Sequence, residues 1–181
     1  MLVDAARSCL LVIDIQQKLV PAVQDGDALI DRARWLIEIA HRIGVPVLAS
    51  EQYPRGLGNT VEPIAAVLGD RPVMEKLHFS CAAEPPCVTT LDSVGREQVV
   101  IIGMETHVCV LQTALGLYQQ GKQVFVVADV VSSRTAEDKQ LALARMSQAG
   151  VVVVSREMVV FEWLHRAGTE LFREISRNYL R

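Results

Sequence analysis

The stretch QVVIIGMETHVCV, residues 98–110, joins a short apolar run to the start of a predicted helix and carries a cysteine, Cys109, at that junction. Residues 98–103 are almost continuously apolar rather than alternating, which is typical of a strand in a parallel sheet that is covered on both faces. Four roles are open to a cysteine in this position: core residue, metal ligand, half of a disulfide, or nucleophile.

Further apolar runs of the same kind recur along the chain and predict strands at 9–14, 45–50, 71–75, 123–129 and 151–155. The segments between them repeat apolar residues at helical spacing and end at glycines such as Gly44 and Gly121. Thr135 and Thr169 are predicted helix caps. We therefore predict one domain over residues 1–181, an α/β three-layer doubly wound (Rossmann-like) fold with a six-stranded, mainly parallel sheet.

Composition excludes several classes of protein. Half of the 181 residues are hydrophobic and the formal net charge is −3, which argues against a disordered chain and against a nucleic-acid or membrane-surface protein. The chain has no apolar run of the ~20 residues that a membrane helix needs and no signal-peptide pattern, so we expect a cytoplasmic protein with reduced cysteines. The four cysteines form no CxxC pair, so a zinc knuckle or a redox dithiol is not supported.

Reactive side chains cluster at the predicted carboxyl ends of the strands, the edge at which such sheets bind ligands. Asp14 ends the first strand, Lys76 follows the third, and Cys109 lies just after the fourth. Each has an ordinary alternative: Asp14 as a helix cap or loop acid, Lys76 as a surface charge, Cys109 as a small buried hydrophobe.

Together the three residues suit acyl transfer through a thioester. A helix N-terminus and a neighbouring ammonium group favour a thiolate, so we expect a lowered pKa for Cys109. The Asp14 carboxylate can take the thiol proton and pass it to a leaving group, and backbone N–H groups near Cys109 can stabilise an oxyanion.

The segments LLVIDIQQKLV, MEKLHFS, VVIIGMETHVCVLQTALGL and VFVVADVVSSR, spread over about residues 8–165, resemble the isochorismatase-like cysteine hydrolases. The resemblance implies a catalytic triad of Asp14, Lys76 and Cys109. It also implies a cis peptide bond between Met104 and Glu105, in a turn whose N–H groups, with that of Cys109, face the substrate oxygen.

One departure from that family concerns metal binding. Nicotinamidases hold a metal through an Asp-x-His pair after the second strand, whereas this chain has SEQYPRGLGNTVEP there, without a histidine. The four histidines, His41, His78, His107 and His165, are scattered along the sequence. We therefore expect no metal and no cofactor, and nicotinamide is a poor substrate candidate.

Five residues are candidates for contact with a small-molecule substrate: Gln52, Tyr53, Arg55, Phe79 and His107. Arg55 would suit a substrate carboxylate, and Phe79 an apolar wall. Each could instead be an ordinary loop, helix-surface or core residue.

The favoured function is metal-independent hydrolysis of a small amide or other C–N bond. The alternatives are an isochorismatase-type vinyl-ether hydrolase, which by resemblance needs no cysteine nucleophile, and a catalytically silent scaffold. A peroxide-sensing thiol is weaker, because no second cysteine is close to Cys109 in sequence. We also expect a homo-oligomer, with Phe161 and Trp163 in a helix-borne interface unless they cover the sheet of their own domain.

Overall fold

The computed structural model describes residues 1–180 as a parallel six-stranded sheet between two layers of helices. The strands are β1 (Ser8–Ile13), β2 (Val47–Gln52), β3 (Val73–Lys76), β4 (Gln98–Met104), β5 (Gln123–Ser132) and β6 (Val152–Val154). The helices are α1 (Gly26–Ile43), α2 (Pro54–Leu57), α3 (Glu62–Leu68), α4 (Pro85–Ser93), α5 (Leu111–Gln119), α6 (Ala136–Ala149), α7 (Arg156–Leu164) and α8 (Glu170–Tyr179). A π-helical turn, Thr106–Val110, joins β4 to α5, and 3-10 helices cover Val20–Ala22 and Cys81–Ala83.

The order of the strands across the sheet is β3-β2-β1-β4-β5-β6. The chain therefore starts in the middle, runs outward to β3, returns to β4 beside β1, and runs outward in the other direction. The carboxyl ends of β1 and β4 flank the point where the direction reverses, which is where sheets of this type bind ligands. The predicted fold class is confirmed, and the pairing is parallel throughout the sheet rather than mainly parallel.

Two hydrophobic cores explain the continuously apolar strands. Alternate side chains of β1 enter opposite layers: Leu10 and Val12 pack with α1, α3, α7 and α8, whereas Leu11 and Ile13 pack with α4, α5 and α6. Successive residues of a strand point to opposite faces, so a strand that is covered on both sides has no polar alternation.

The predicted helix ends are largely confirmed. Gly44 ends α1 in the left-handed conformation, and the Thr135 and Thr169 hydroxyls accept hydrogen bonds from backbone N–H groups at the starts of α6 and α8, at 3.1 and 3.0 Å. The strand bounds differ more. We predicted that the second strand ends at residue 50, but β2 continues to Gln52 because its ladder with β3 extends to the pair Gln52–Lys76.

Of the two alternatives for the α7 aromatic residues, Trp163 follows the second and covers the sheet of its own domain. Its side chain is 5% exposed and its indole Nε1 donates a 2.8 Å hydrogen bond to the Ser8 hydroxyl, because this side of α7 packs on the sheet. Phe161, on the same helix, is 49% exposed. Across residues 1–180, no helix is both long and apolar enough to cross a membrane.

Candidate active site

Asp14 and Lys76 meet at the carboxyl edge of the sheet. Asp14 follows β1 directly, in the left-handed conformation with φ +52°, and Lys76 is the last residue of β3. Because β2 lies between these strands, the long lysine side chain has to reach across it. The Lys76 ammonium lies 2.7 Å from Asp14 Oδ2, and both side chains are 0% exposed. The two side chains therefore form a fully buried ion pair, which is costly unless its remaining hydrogen bonds are satisfied.

Ser50, in β2, fixes the other oxygen of Asp14. The Ser50 hydroxyl donates a 2.8 Å hydrogen bond to Asp14 Oδ1, and the Asp14 N–H donates to the Ser50 carbonyl at 3.1 Å. The carboxylate is thus held through both oxygens. Ser50 is absent from the sequence prediction, although a polar residue at the end of an apolar run next to β1 was a usable signal.

Gln52 lies beside Lys76 and its amide is bound within the protein. Its Oε1 accepts a 2.7 Å hydrogen bond from the Lys76 ammonium, and its Nε2 donates to the Leu77 carbonyl at 2.9 Å. We predicted Gln52 beyond the strand as a substrate contact. The structure places it inside β2 with both amide atoms engaged, because the β2–β3 ladder brings it level with Lys76.

Cys109 lies in the π-helical turn at the start of the α5 segment and is 5% exposed. Burial raises the pKa of its thiol above the ordinary range, and the Asp14 carboxylate raises it further, whereas Lys76 lowers it. The expected low pKa is therefore wrong for the resting site. Desolvation and the Asp14 carboxylate raise the pKa of the thiol by more than Lys76 lowers it, so Cys109 is protonated in the resting site.

The charge of Lys76 is coupled to the thiol in both directions. Burial alone would lower the pKa of Lys76, but the charges of Asp14 and Cys109, with the hydrogen bond to Asp14, raise it above its ordinary value. Lys76 therefore remains an ammonium ion at neutral pH. Asp14 and Lys76 are in direct contact, and both act on the pKa of the Cys109 thiol.

The turn before Cys109 contains a cis peptide bond between Met104 and Glu105. The Glu105 carbonyl accepts hydrogen bonds from the N–H groups of Val108 and Val110 at 3.1 and 3.2 Å, which winds the chain into the π-helical turn. Gly103 precedes the bond with φ +116°, and a Cβ there would lie 2.0 Å from the Ile13 carbonyl oxygen. Only glycine allows β4 to approach β1 this closely.

The loop after β5 supports this turn from outside. The Glu105 carboxylate, in a residue that is 5% exposed, accepts hydrogen bonds from Arg134 Nε and Nη2 at 2.6 and 3.2 Å. His107 Nδ1 lies 3.0 Å from the Ser133 hydroxyl. The Nδ1 atom of His107 therefore contacts the loop after β5 rather than being free for the predicted contact with substrate. Ser133 and Arg134 end the segment VFVVADVVSSR that resembles the family, but neither was predicted as a site residue.

A cavity of about 290 Å³ opens on Lys76. Its lining includes Tyr53 and Arg55, two of the predicted substrate contacts, and it also contains Tyr53's neighbour Pro54 and the side chains of Glu75, Leu77 and Glu84. Phe79 is 51% exposed and lies outside this lining. Neither Asp14 nor Cys109 lines the cavity, and the Lys76 side chain is 0% exposed, so the cavity borders the Lys76 segment without exposing the three side chains.

Two more buried cysteines lie close to the site. The charge of Cys81 acts on Lys76, and a hydrogen bond from Cys87 lowers the pKa of Cys81. All four cysteines are free thiols. Cys81 and Cys109 lie in the same hydrophobic core. The sequence does not indicate this, because the two residues are more than 20 positions apart and their elements meet only in the tertiary structure. Within residues 1–180, no group of three or more potential ligands is placed to hold a metal ion.

Comparison with known proteins gives a consistent family assignment. Residues 8–158 match the isochorismatase domain family. The chain is 36% identical over 171 residues to isochorismatase domain-containing protein 1 of Salmo salar, covering 94% of this chain and 60% of the relative. It is 38% identical over 173 residues to isochorismatase domain-containing protein 2A of Mus musculus, covering 94% and 81%. The chain thus spans about 60% of the length of the Salmo salar relative and of its Danio rerio counterpart.

Solved structures share the fold. The structure of MAR1 ribonuclease from Caenorhabditis elegans is 33% identical with a TM-score of 0.92, covering 100% of this chain and 93% of that one. The ycaC gene product of Escherichia coli, described as an octameric hydrolase of unknown specificity, has a TM-score of 0.91 at 24% identity, covering 99% and 91%. At that identity the second similarity concerns the fold alone.

Proposed function

Because this chain belongs to the isochorismatase domain family, we propose that it is a metal-independent cysteine hydrolase that cleaves a small amide or another C–N bond through a covalent thioester. The observation that carries the proposal is the fully buried Asp14–Lys76 pair, 2.7 Å apart and electrostatically coupled to the Cys109 thiol. A buried ion pair beside a thiol is costly, and structural stability alone gives no reason to keep it.

In the proposed reaction the Asp14 carboxylate takes the proton from Cys109 as the sulfur attacks the substrate carbonyl carbon. The C–N bond then breaks, and Asp14 gives the same proton to the departing nitrogen. Water next attacks the thioester carbonyl while Asp14 accepts its proton. The C–S bond then breaks as Asp14 passes this proton to the sulfur, which releases the acid and restores the Cys109 thiol and the Asp14 carboxylate. The raised pKa of Cys109 fits this order, because proton removal accompanies attack.

Lys76 and the turn have separate electrostatic roles in this scheme. Lys76 stays protonated and stabilises the negative charge as it passes between Asp14 and the sulfur. The oxyanion of each tetrahedral intermediate would be held by N–H groups of the turn formed by Met104, Glu105 and Cys109. Substrate would approach through the cavity at Lys76, where Tyr53 and Arg55 are the proposed contacts.

A vinyl-ether hydrolase is the main alternative, since by family resemblance that chemistry needs Asp14 and Lys76 but no nucleophilic thiol. Placement of Cys109 within the charge field of both residues favours the thioester route. The name of the Caenorhabditis elegans neighbour would suggest RNA. The net charge of −3 and the carboxylates of Glu75 and Glu84 at the cavity oppose binding of a polyanion.

Substitution of Cys109 separates these functions. We would screen small amides, ureido compounds and vinyl ethers with the wild type, Cys109→Ser and Cys109→Ala, and examine rapidly quenched mixtures by intact-mass spectrometry. The proposal predicts hydrolysis and an acyl adduct on the wild type and neither on the two variants. Full activity in Cys109→Ala would overturn the thioester mechanism and favour the vinyl-ether reaction. No turnover of any class, with unchanged ligand binding, would favour a silent scaffold.

The proposal also includes a single hydrolase domain over residues 1–181 and self-association into a homo-oligomer. Phe161, which is half exposed on α7, remains a candidate contact between copies. Light scattering coupled to gel filtration measures the oligomeric state directly. If the Phe161→Ser variant forms an assembly of the same mass as the wild type, Phe161 is not a necessary contact between copies.

A further inference from the structure

The hydrogen bonds of Gln52 assign it a task inside the site. Its Oε1 and Asp14 Oδ2 each lie 2.7 Å from the Lys76 ammonium, so this amide and this carboxylate together define where the ammonium lies. Gln52 is 7% exposed and sits at the end of β2, level with Lys76 in the ladder. Its amide therefore acts on Lys76 and has little surface left for solvent.

The orientation of this amide is fixed by the surrounding backbone. Nε2 donates to the Leu77 carbonyl at 2.9 Å, so the oxygen must face Lys76. Gln16, which is 0% exposed, holds the Gln52 backbone from both sides: its Oε1 accepts from the Gln52 N–H at 2.8 Å and its Nε2 donates to the Gln52 carbonyl at 3.0 Å. Gln16 Nε2 also donates to the Gly58 carbonyl at 2.6 Å.

A neutral acceptor at this position has an electrostatic consequence. A second carboxylate would pair with Lys76 and cancel the field that the lysine exerts on Cys109, and it would repel the Leu77 carbonyl. With a hydrocarbon side chain at position 52, Asp14 alone would determine where the Lys76 ammonium lies. An amide supplies the hydrogen bond without adding charge.

We infer that Gln52 is a positioning residue for the proposed hydrolysis, holding the Lys76 ammonium between Asp14 and Cys109 as a neutral acceptor whose orientation is set by Leu77 and Gln16. The inference rests on the proposed function, because it needs Lys76 to act on a reactive Cys109. It assigns Gln52 to the lysine rather than to the substrate.

The variant Gln52→Glu provides a test that depends on pH. A protonated glutamic acid can donate to the Leu77 carbonyl and accept from Lys76, reproducing the amide, whereas the ionised form cannot. Other titratable groups facing Lys76 or sharing its cavity are present in every variant and cancel in a ratio to the wild type: Asp14, Cys81, Cys109, Arg55, Glu75 and Glu84.

The measurement is the rate of Cys109 alkylation by iodoacetamide between about pH 5 and about pH 9, assigned by peptide mapping to distinguish it from Cys81. We expect Gln52→Glu and Gln52→Met to react about tenfold more slowly than the wild type at neutral pH, which corresponds to a displacement of about one pKa unit of the thiol. The ratio of Gln52→Glu to wild type should rise as the pH falls. Iodoacetamide bypasses substrate recognition, so a substrate contact would instead raise KM and leave this rate unchanged.

The matched control is Gln98→Glu. Gln98 is 0% exposed and, like Gln52, hydrogen-bonded through both amide atoms, but it lies at the start of β4, at the opposite edge of the sheet. It should leave the alkylation rate within about twofold of wild type. Folded Gln52 variants with wild-type rates, or equal slowing by Gln98→Glu, would overturn the positioning role. If Lys76→Met also left the alkylation rate unchanged, both the positioning role of Gln52 and the proposed function would be overturned. If Lys76→Met slowed alkylation but the Gln52 variants did not, only the positioning role of Gln52 would be overturned.

Discussion

Removing both partners of the Asp14–Lys76 pair should destabilise the protein by much less than the sum of the costs of removing each one alone. Each charge is 0% exposed and the two lie 2.7 Å apart, so Lys76→Met leaves a buried carboxylate without its cation, and Asp14→Asn leaves a buried ammonium. Breaking a buried pair from one side costs about 3–5 kcal/mol. The double variant buries neither charge, so its cost should fall at least ~2 kcal/mol short of the sum of the single costs.

The Asp14→Asn variant should respond to pH through Lys76. In Asp14→Asn, burial is left to lower the pKa of Lys76, and the loss shrinks as the pH rises because the ammonium gives up its proton. In the wild type the pKa of Lys76 is raised, so the contribution of the pair is complete below the ordinary lysine pKa and is lost only as the pH rises through the higher folded value.

Urea denaturation of the four proteins across a series of pH values measures these differences. As a control, the slope of the unfolding free energy against urea concentration should be the same for all four proteins. Additive single costs, or a loss of stability in Asp14→Asn that does not change with pH, would show that the two charges do not form a buried ion pair in solution.

Three smaller perturbations test other parts of the structure by the same denaturation measurement. Gly103→Ala places a Cβ 2.0 Å from the Ile13 carbonyl oxygen and should cost more than about 3 kcal/mol or prevent folding; near wild-type stability would contradict the close approach of β4 and β1. Trp163→Phe loses the bond to Ser8 and should cost about 1–3 kcal/mol, whereas no loss would mean that the indole is not buried there. In Glu84→Gln the deficit should vanish as the pH falls from about 4.5 to about 2, because hydrogen bonds, first that from the His78 side chain, lower the pKa of Glu84 to about 2; a pH-independent deficit would refute this.

Much of the fold could be predicted because local signals and tertiary structure agree. Continuous apolar runs require cover on both faces, and glycine and threonine at the helix ends act through their own backbone neighbourhood, as Gly44 and Thr135 do. The ends of β2 and β5 could not be predicted in this way. They depend on how far a neighbouring strand continues, and that partner is distant in the sequence.

The residues of the candidate site also differ in whether local sequence signals could predict them. Asp14, Lys76 and Cys109 follow apolar strands, so the rule for strand ends finds them without knowledge of the packing. Ser50, Gln16 and Arg134 act through hydrogen bonds between segments that are distant in the sequence, so their roles could not be predicted from local patterns. The direction of the Cys109 pKa was missed for the same reason: a helix N-terminus is visible in sequence, whereas desolvation by the core is not.

The most direct test of the central claim, that Asp14, Lys76 and Cys109 act as one unit on the thiol, is the pH dependence of Cys109 alkylation in the wild type, Asp14→Asn and Lys76→Met. Asp14 raises the pKa of Cys109 and Lys76 lowers it. The account therefore predicts faster alkylation than wild type in Asp14→Asn and slower alkylation in Lys76→Met, with hydrolysis lost in both. A thiol that reacts at the same rate in all three proteins would contradict it.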